Sequence, residues 1–340
     1  MITRPAAARR GTSLRLALLG AFALGSALLG IAVGPVHLTL PQVLSGLLHP
    51  GGRSVTDIIV GALREPRVVC TTLVGAALGV SGAVVQSVFR NPMADPGIIG
   101  VSAGGSLGAV AALAAGWNIL NPYILPASAF AGAAVAVFAV YALSTRRGRT
   151  SLIGLLLAGL IVSSMIDSVI SLVLSFSNNS EMRSIVFWLM GGFNGESWTQ
   201  VRILGLPVLA GAALLTVFLR ELDLLATGEE HAHSSGVSVE WVKRILIALT
   251  ALLTGAAVAV SGTIAFVGLL VPHAARRIVG PRHRLLLPAS ALLGAGLLTL
   301  ADLLARSISS QFELQVGIVT SFLGGPFFLF LLLRTERKWT

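Results

Sequence analysis

Six histidines (His37, His49, His231, His233, His273 and His283), one cysteine (Cys70) and two lysines (Lys243 and Lys338) are the first places in this chain to look for chemistry. No two histidines stand four apart on a helix with an acid nearby, so the zinc-binding pair of a metalloprotease is missing. His231 and His233 could ligate a metal, but they lie in a polar, acidic loop, and a solvated loop is the plainer reading. Cys70 sits inside an apolar run, which excludes a disulfide framework or a thiolate cluster and makes it a small core hydrophobe. Neither lysine follows a glycine or precedes Ser or Thr, so there is no Walker A loop to hold nucleotide phosphates. The chain is therefore expected to carry no catalytic residue, no metal ligand and no cofactor, and any use of ATP belongs to another subunit.

Three charged residues are of a different kind, because the runs around them are apolar. An acid at mid-bilayer is costly unless it faces protein or water. Asp167 thus either lines a cavity or fixes helix packing through a hydrogen bond, and the sequence leaves both open. Asp302 and Arg306 stand one helical turn apart, the spacing of an intrahelical ion pair.

The elements that must hold these residues follow from composition. Of 340 residues, 55% are hydrophobic and 11% charged, with a mean hydropathy of +0.87. A soluble globule carries about a quarter charged residues, so an integral, all-α membrane protein is predicted. The net charge of +10 would suggest nucleic acid in a soluble protein, but here the basic residues gather in short loops between apolar runs, which is a topology signal. No nucleic-acid partner is expected; the partner is the lipid bilayer.

A helix needs about 20 apolar residues to cross a hydrocarbon core of about 30 Å. Ten such spans can be drawn, at roughly 14–34, 66–86, 93–114, 123–143, 151–175, 196–219, 242–262, 263–279, 286–306 and 314–333, with Ser261-Gly262-Thr263 the weakest divider. If the N-terminus lies in the cytoplasm, eighteen of the 24 Lys and Arg residues fall on the inner side, as the positive-inside rule requires. The first run is longer than a signal-peptide core, so it is read as an uncleaved helix anchored by Arg9 and Arg10. Both termini are then cytoplasmic, and the inner membrane of a bacterium is the expected location.

Residues 90–105, Arg-Asn-Pro-Met-Ala-Asp-Pro-Gly-Ile-Ile-Gly-Val-Ser-Ala-Gly-Gly, put two prolines and a charge pair at a membrane boundary ahead of a glycine-rich span. Prolines end helices and glycines let backbones approach, which suits a transporter core better than a lipid-facing anchor. Residues 181–194 are too short and polar to cross and predict a helix lying at the outer interface. Residues 220–240 form an acidic inner loop too long to be structureless. The whole chain, 1–340, reads as a single transmembrane domain.

Several motifs then align in order. Leu63-Arg64-Glu65-Pro66-Arg67, Asn91-Pro92-Met93-Ala94-Asp95-Pro96 with Gly100-Val101-Ser102, Gly228-Glu229-Glu230 with Gly236-Val237, Phe266-Val267-Gly268-Leu269-Leu270-Val271-Pro272-His273, Ala301-Asp302-Leu303-Leu304-Ala305-Arg306, and Glu313-Leu314-Gln315-Val316-Gly317 with Gly324-Gly325-Pro326 resemble the FecCD/BtuC permease family. They run from about residue 60 to the C-terminus. Glu65 departs from the apolar residue usual in the family. The resemblance implies a BtuC-like fold of about ten transmembrane helices and a homodimer, served by two copies of an ATP-binding subunit and a periplasmic substrate-binding protein. Such a type II ABC importer would move an iron chelate, with Asp95-Pro96-Gly97 looking most like haem permeases; ferric siderophore and vitamin B12 are the alternatives.

The resemblance also assigns roles. The pathway would run along the dimer axis, lined by the fifth and tenth spans with Ser163, Ser164, Asp167, Ser171 and Thr320. Thr150 and Ser151 would narrow the cytoplasmic gate. Gly228, Glu229, Glu230, Ala232, Ser235 and Gly236 would form the segment coupled to the ATPase, as two short helices. Arg64, Arg67 and Arg306 would face acids of the binding protein from the outer rim. From another class, an ion-coupled secondary transporter remains open; it needs titratable groups at mid-membrane, and Asp167 is thin support.

Overall fold

The computed structural model describes residues 6–49, 51–52, 54–308 and 313–336. In chain order its helices are α1 (Ala6–Ala32), α2 (Leu40–Leu48), α3 (Val55–Ile58), α4 (Glu65–Val88), α5 (Val101–Ala114), α6 (Ile124–Ser144), α7 (Leu152–Phe176), α8 (Asn179–Leu189), α9 (Trp198–Leu215), α10 (Leu219–Thr227), α11 (Glu229–Ser234), α12 (Val239–Ser261), α13 (Val267–Val279), α14 (His283–Ser307) and α15 (Val316–Glu336). A π-helical segment, Ile59–Arg64, makes α3 and α4 one continuous rod. Among the described residues, seven helical segments are long and apolar enough to cross a membrane, two shorter apolar helices (α5 and α15, over Val316–Phe330) accompany them, and α13 packs against α4 and α14 within the bundle. Its first end carries residues 89–100, the α6–α7 turn, α10, α11 and the α13–α14 turn. The opposite end carries α2, α8 and residues 313–315.

The centre is α4, buried along most of its length against α12, α13 and α14. Glycine makes this possible. A methyl placed on Gly75 would run into the Gly294 carbonyl of α14, one on Gly294 would run into the Gly75 carbonyl, and one on Gly82 would meet the Gly268 carbonyl of α13. Backbones in direct contact replace side-chain packing, as expected where lipid offers no hydrophobic drive between helices.

The weak divider at 261–263 proves to be a real break. Between α12 and α13, Gly262 and Phe266 both take left-handed φ angles, +66° and +67°, and residues 262–266 are not helical. Such backbone survives at membrane depth only when protein covers it. Here Thr263 donates its hydroxyl to the Leu189 carbonyl, Gly192 N donates to Ser261 O at 2.8 Å, and Gly317 N donates to Gly191 O at 3.1 Å.

Three connections differ from what the sequence predicts. The α6–α7 turn is a hairpin, Thr145–Arg146 paired with Arg149–Thr150, closed by Arg147 and Gly148 with φ of +51° and +78°, the two-residue loop that matches strand twist. The helix expected at the outer interface, α8, begins at Asn179 rather than 181, because Asn178 caps it and closes a capping box with Glu181; it also ends earlier, at Leu189. Helix α2 has no counterpart among the ten expected spans; Thr39 and Gln42 form its capping box.

A Gly-to-Ala pair tests the packing. Gly75→Ala forces a methyl into backbone and is expected to cost about 1–3 kcal/mol, whereas Gly205→Ala on α9, where nothing lies within 4 Å, should stay within about 0.5 kcal/mol of wild type. Thermal unfolding of both variants in detergent measures the difference.

Candidate functional site

Helix α7 buries a single stripe, with Leu155, Gly159, Ile166 and Ile170 turned inward. On the uncovered side lie Ser164, Asp167, Ser168, Ser171 and Ser175, all exposed, at spacings that keep them on one helical face. Each serine hydroxyl donates to the carbonyl four residues back: Ser164 to Leu160 at 3.0 Å, Ser168 to Ser164 at 2.9 Å, Ser171 to Asp167 at 2.8 Å and Ser175 to Ser171 at 2.9 Å. A polar ladder with an acid in it, running along about half of a membrane span, is a poor surface to show to lipid. Asp167 is thus on an open face rather than in a helix contact of this subunit. Ser168 and Ser175, which sequence reasoning passed over, belong to the same face; a helical wheel of α7 would have found them.

Ser163 is only half-covered and sits beside this face. Thr320 departs from the expectation. It is buried at 4% exposure, with its hydroxyl donating to Gly317 O at 3.1 Å. The exposed polar position on α15 is the next residue, Ser321. A rotation of about 100° per residue separates them, and the apolar runs of α15 gave no clue to which side faces inward.

At the first end, Ser151 caps α7 by accepting from Gly154 N at 3.1 Å and is exposed, while Thr150 is buried at 5%. Residues 220–240 fold as α10 and α11, with Gly228 and Gly236 at φ of +136° and +83° on either side of α11. Glu230, His231, His233 and Ser234 point outward, Glu229 and Ser235 are half-buried, and Ala232 is fully buried. Ala232 therefore anchors α11 rather than lying on its contact face. Asp223 of α10 accepts from His283 N at 2.9 Å and lies 2.6 Å from His283 Nδ1; His283 Nε2 lies 2.6 Å from Ser87 Oγ. This line of Ser, His and Asp resembles a hydrolase triad, but Ser87 is buried and already bonds Ala83 O at 2.9 Å, so it ties α4, α10 and α14 together and presents no nucleophile.

At the opposite end the three arginines do not have the outward orientation that a docking role needs. Arg64 is 4% exposed and donates to Ile31 O at 2.8 Å, Ala32 O at 2.9 Å and Val36 O. Arg306, 3% exposed, donates to Gly30 O and pairs with Asp302 at 3.4 Å. Both saturate the last carbonyls of α1, which have no partner inside their own helix. Arg67 grips Asp302 through Nε and Nη2 at 2.9–3.1 Å and reaches Glu313 at 2.8 Å. Next to it opens a cavity of about 760 Å³ lined by Arg67, Arg183, Phe187, Glu196, Glu313 and Gln315 among others. Glu196 is 9% exposed, and burial pushes its carboxyl up to about 8 against the opposing pull of Arg67.

With this geometry in view, comparison with known proteins is direct. The model of the FecCD transport family matches residues 22–334. A cobalamin import system permease protein of Halobacterium salinarum is 46% identical over 84% of this chain and 76% of its own length. A hemin transport system permease protein of Yersinia pestis is 41% identical over 81% of this chain and 83% of its own. Among solved structures, a metal-chelate type ABC transporter in an inward-facing conformation superposes with a TM-score of 0.84 at 32% identity, covering 94% of this chain and 98% of that one.

The buried carboxyl yields a pH prediction. Glu196 is harder to ionise in the fold than its ordinary value of 4.5, so folding is favoured fully below that value, weakens as pH climbs to about 8, and is level above it. Glu196→Gln, always neutral, is expected to be more stable than wild type at pH 9 and to lose that advantage by pH 5. Melting temperatures across that range check the crossover.

Proposed function

Since the chain belongs to the FecCD transport family, we propose that it is the membrane-spanning permease of an ABC importer for a tetrapyrrole-type metal chelate, carried from outside to cytoplasm on energy supplied by a separate ATPase. The observation that carries this reading is the exposed polar face of α7 with Ser164, Asp167, Ser168, Ser171 and Ser175. A second copy of the chain facing it would turn two such stripes into a pathway on the dimer axis, shielded from lipid. The loaded first end, with most of the Lys and Arg residues, is then the cytoplasmic side. Thr150 and Ser151 stand at the pathway's inner mouth, and the outward face of α11 (Glu230, His231, His233 and Ser234) meets the ATPase.

Within the chelate class, the glycine of Asp95-Pro96-Gly97 argues against the siderophore permeases that place a tyrosine there and suits haem and vitamin B12 permeases alike; the 46% identity to a cobalamin import permease is the specific observation in favour of the corrinoid. No histidine lies in α7 or in the described part of α15, so either cargo would pass without axial ligation by the pathway. A periplasmic binding protein would deliver it at the opposite end. Arg67 is held by Asp302 and Glu313, so exposed Arg183 on α8 and Arg202 on α9 are the basic side chains open to acids of such a partner.

Reconstitution separates the readings. Proteoliposomes holding the permease, its ATPase and its binding protein should accumulate haem or cobalamin only with internal ATP; accumulation driven by an ion gradient through the permease alone would establish a secondary transporter instead. Ser164→Trp or Ser171→Trp is expected to cut uptake at least about tenfold, equal to about 1.4 kcal/mol of added barrier, while the complex still assembles by size-exclusion chromatography.

A further inference from the structure

Lys243, four residues into α12, is 2% exposed, an unusual position for an ammonium group and worse for being in the first turns of a helix, where the macrodipole repels positive charge. Its three donors are all engaged. Nζ lies 2.7 Å from Glu240 Oε1, 3.2 Å from Glu229 Oε2 and 3.1 Å from Thr150 O. Glu240 uses its second oxygen to accept from Thr150 N at 2.9 Å. The Thr150 side chain is held too: its hydroxyl bonds the Tyr141 hydroxyl at 3.2 Å, which receives Arg244 Nε at 3.1 Å.

We infer that Lys243 is a positioning residue that joins the ATPase-facing helix to the inner gate, transmitting movement of α11 to the 145–150 hairpin. The inference rests on the reading of this chain as an ABC permease. The geometry supports it in three ways. Glu229 is the first residue of α11, set off from α10 by Gly228 with φ of +136°, so α11 can pivot as a unit and pull its carboxylate with it. Both backbone groups of Thr150 are bonded to the Lys243–Glu240 pair, so the hairpin has little freedom to move independently of that pair. The network is also saturated: an ammonium has three protons and no more, and displacing Glu229 leaves a buried charge short of a partner until the hairpin shifts or another acceptor arrives. Such an element has discrete arrangements rather than a continuum, which is what coupling between distant sites requires. Buried ion pairs add little stability compared with apolar residues of the same size, so stability gives no strong reason to place one here.

The test uses the complete complex with its ATPase and binding protein. Wild-type transport is measured first; if it is absent with ATP, the permease reading fails and the relay is not at issue. Given wild-type transport, Lys243→Met and the milder Glu229→Gln are compared for ATP hydrolysis, transport and amide hydrogen exchange of residues 144–151 in nucleotide-free and ATP-bound states. Both variants are expected to move roughly tenfold less cargo per ATP hydrolysed, within the usual range of coupling between sites, and hairpin exchange should no longer respond to nucleotide. If Lys243→Met fails to assemble, Glu229→Gln decides, since its amide keeps the size of the side chain and one acceptor. Wild-type cargo per ATP together with a wild-type nucleotide response of the hairpin in an assembled variant overturns the proposal.

Discussion

The contact of α4 with α13 and α14, backbone against backbone at Gly75, Gly82, Gly268 and Gly294, constrains the rest of the bundle. Helices this close cannot slide or rotate on each other without carbonyl oxygens colliding, so α4, α12, α13 and α14 form one stiff body. The consequence appears at the periphery. Helix α15 touches this body at α13 and α14, while α7 packs on α5, α6 and residues 96–99 instead; each buries a narrow stripe and exposes the remainder, so these two helices are the least constrained by it. The π-helical segment before α4 and the prolines within α9, α13, α14 and α15 lie in helices whose freed backbone groups neighbouring protein must satisfy.

The same rule explains the charges at membrane depth. Arg64 and Arg306 look from the sequence like misplaced basic residues on the wrong side of a topology rule. In the fold they close the C-terminal turn of α1 by donating to Gly30, Ile31 and Ala32, and Arg64 also holds Val36 just beyond it. Asp302 then pairs with both Arg67 and Arg306, and Arg67 reaches Glu313 as well. Leaving one of these charges unpaired in a buried site would cost about 3–5 kcal/mol, so the group behaves as one unit, and its members are too committed to one another to be free for an outside partner. The outer rim offers instead the residues this cluster leaves over, Glu313 on its edge and Arg183 on α8.

The spans, their number and the position of the α10–α11 segment were legible because each depends on local composition: apolar length, glycine and proline at boundaries, and charge in loops. The orientation of side chains about their helix axes was legible only where polarity contrasts strongly. On α7 the serines mark the open face, and the expected Ser164, Asp167 and Ser171 do lie on it. On α15 nearly every residue is apolar or small, so Thr320 and Ser321 could not be told apart, and the buried one was chosen. Lys243 was hidden for a related reason. It reads as one of several basic residues following an inner loop, and nothing local in the sequence shows that Glu229, 14 positions upstream, and Thr150, 93 positions upstream, converge on it. Contacts between distant segments are set by the packing of α12 against α6 and α11, which no sequence window contains.

The chemistry of the α7 face fits a route for a large cargo better than it fits a binding site. A serine hydroxyl has one proton to donate, and in Ser164, Ser168, Ser171 and Ser175 it already goes to the helix carbonyl one turn back at 2.8–3.0 Å. What remains exposed are acceptor lone pairs and the lone carboxylate of Asp167. Such a surface holds water and lowers the cost of exposing a path to it, but it has few directional donors with which to grip the carboxylates or amides around a tetrapyrrole. Transport demands entry without tight binding, and a row of hydroxyls satisfied by their own helix meets that demand by geometry alone. On the proposed function, affinity and selection are then left to the protein that delivers the cargo, while the α7 face contributes a wet, weakly holding surface.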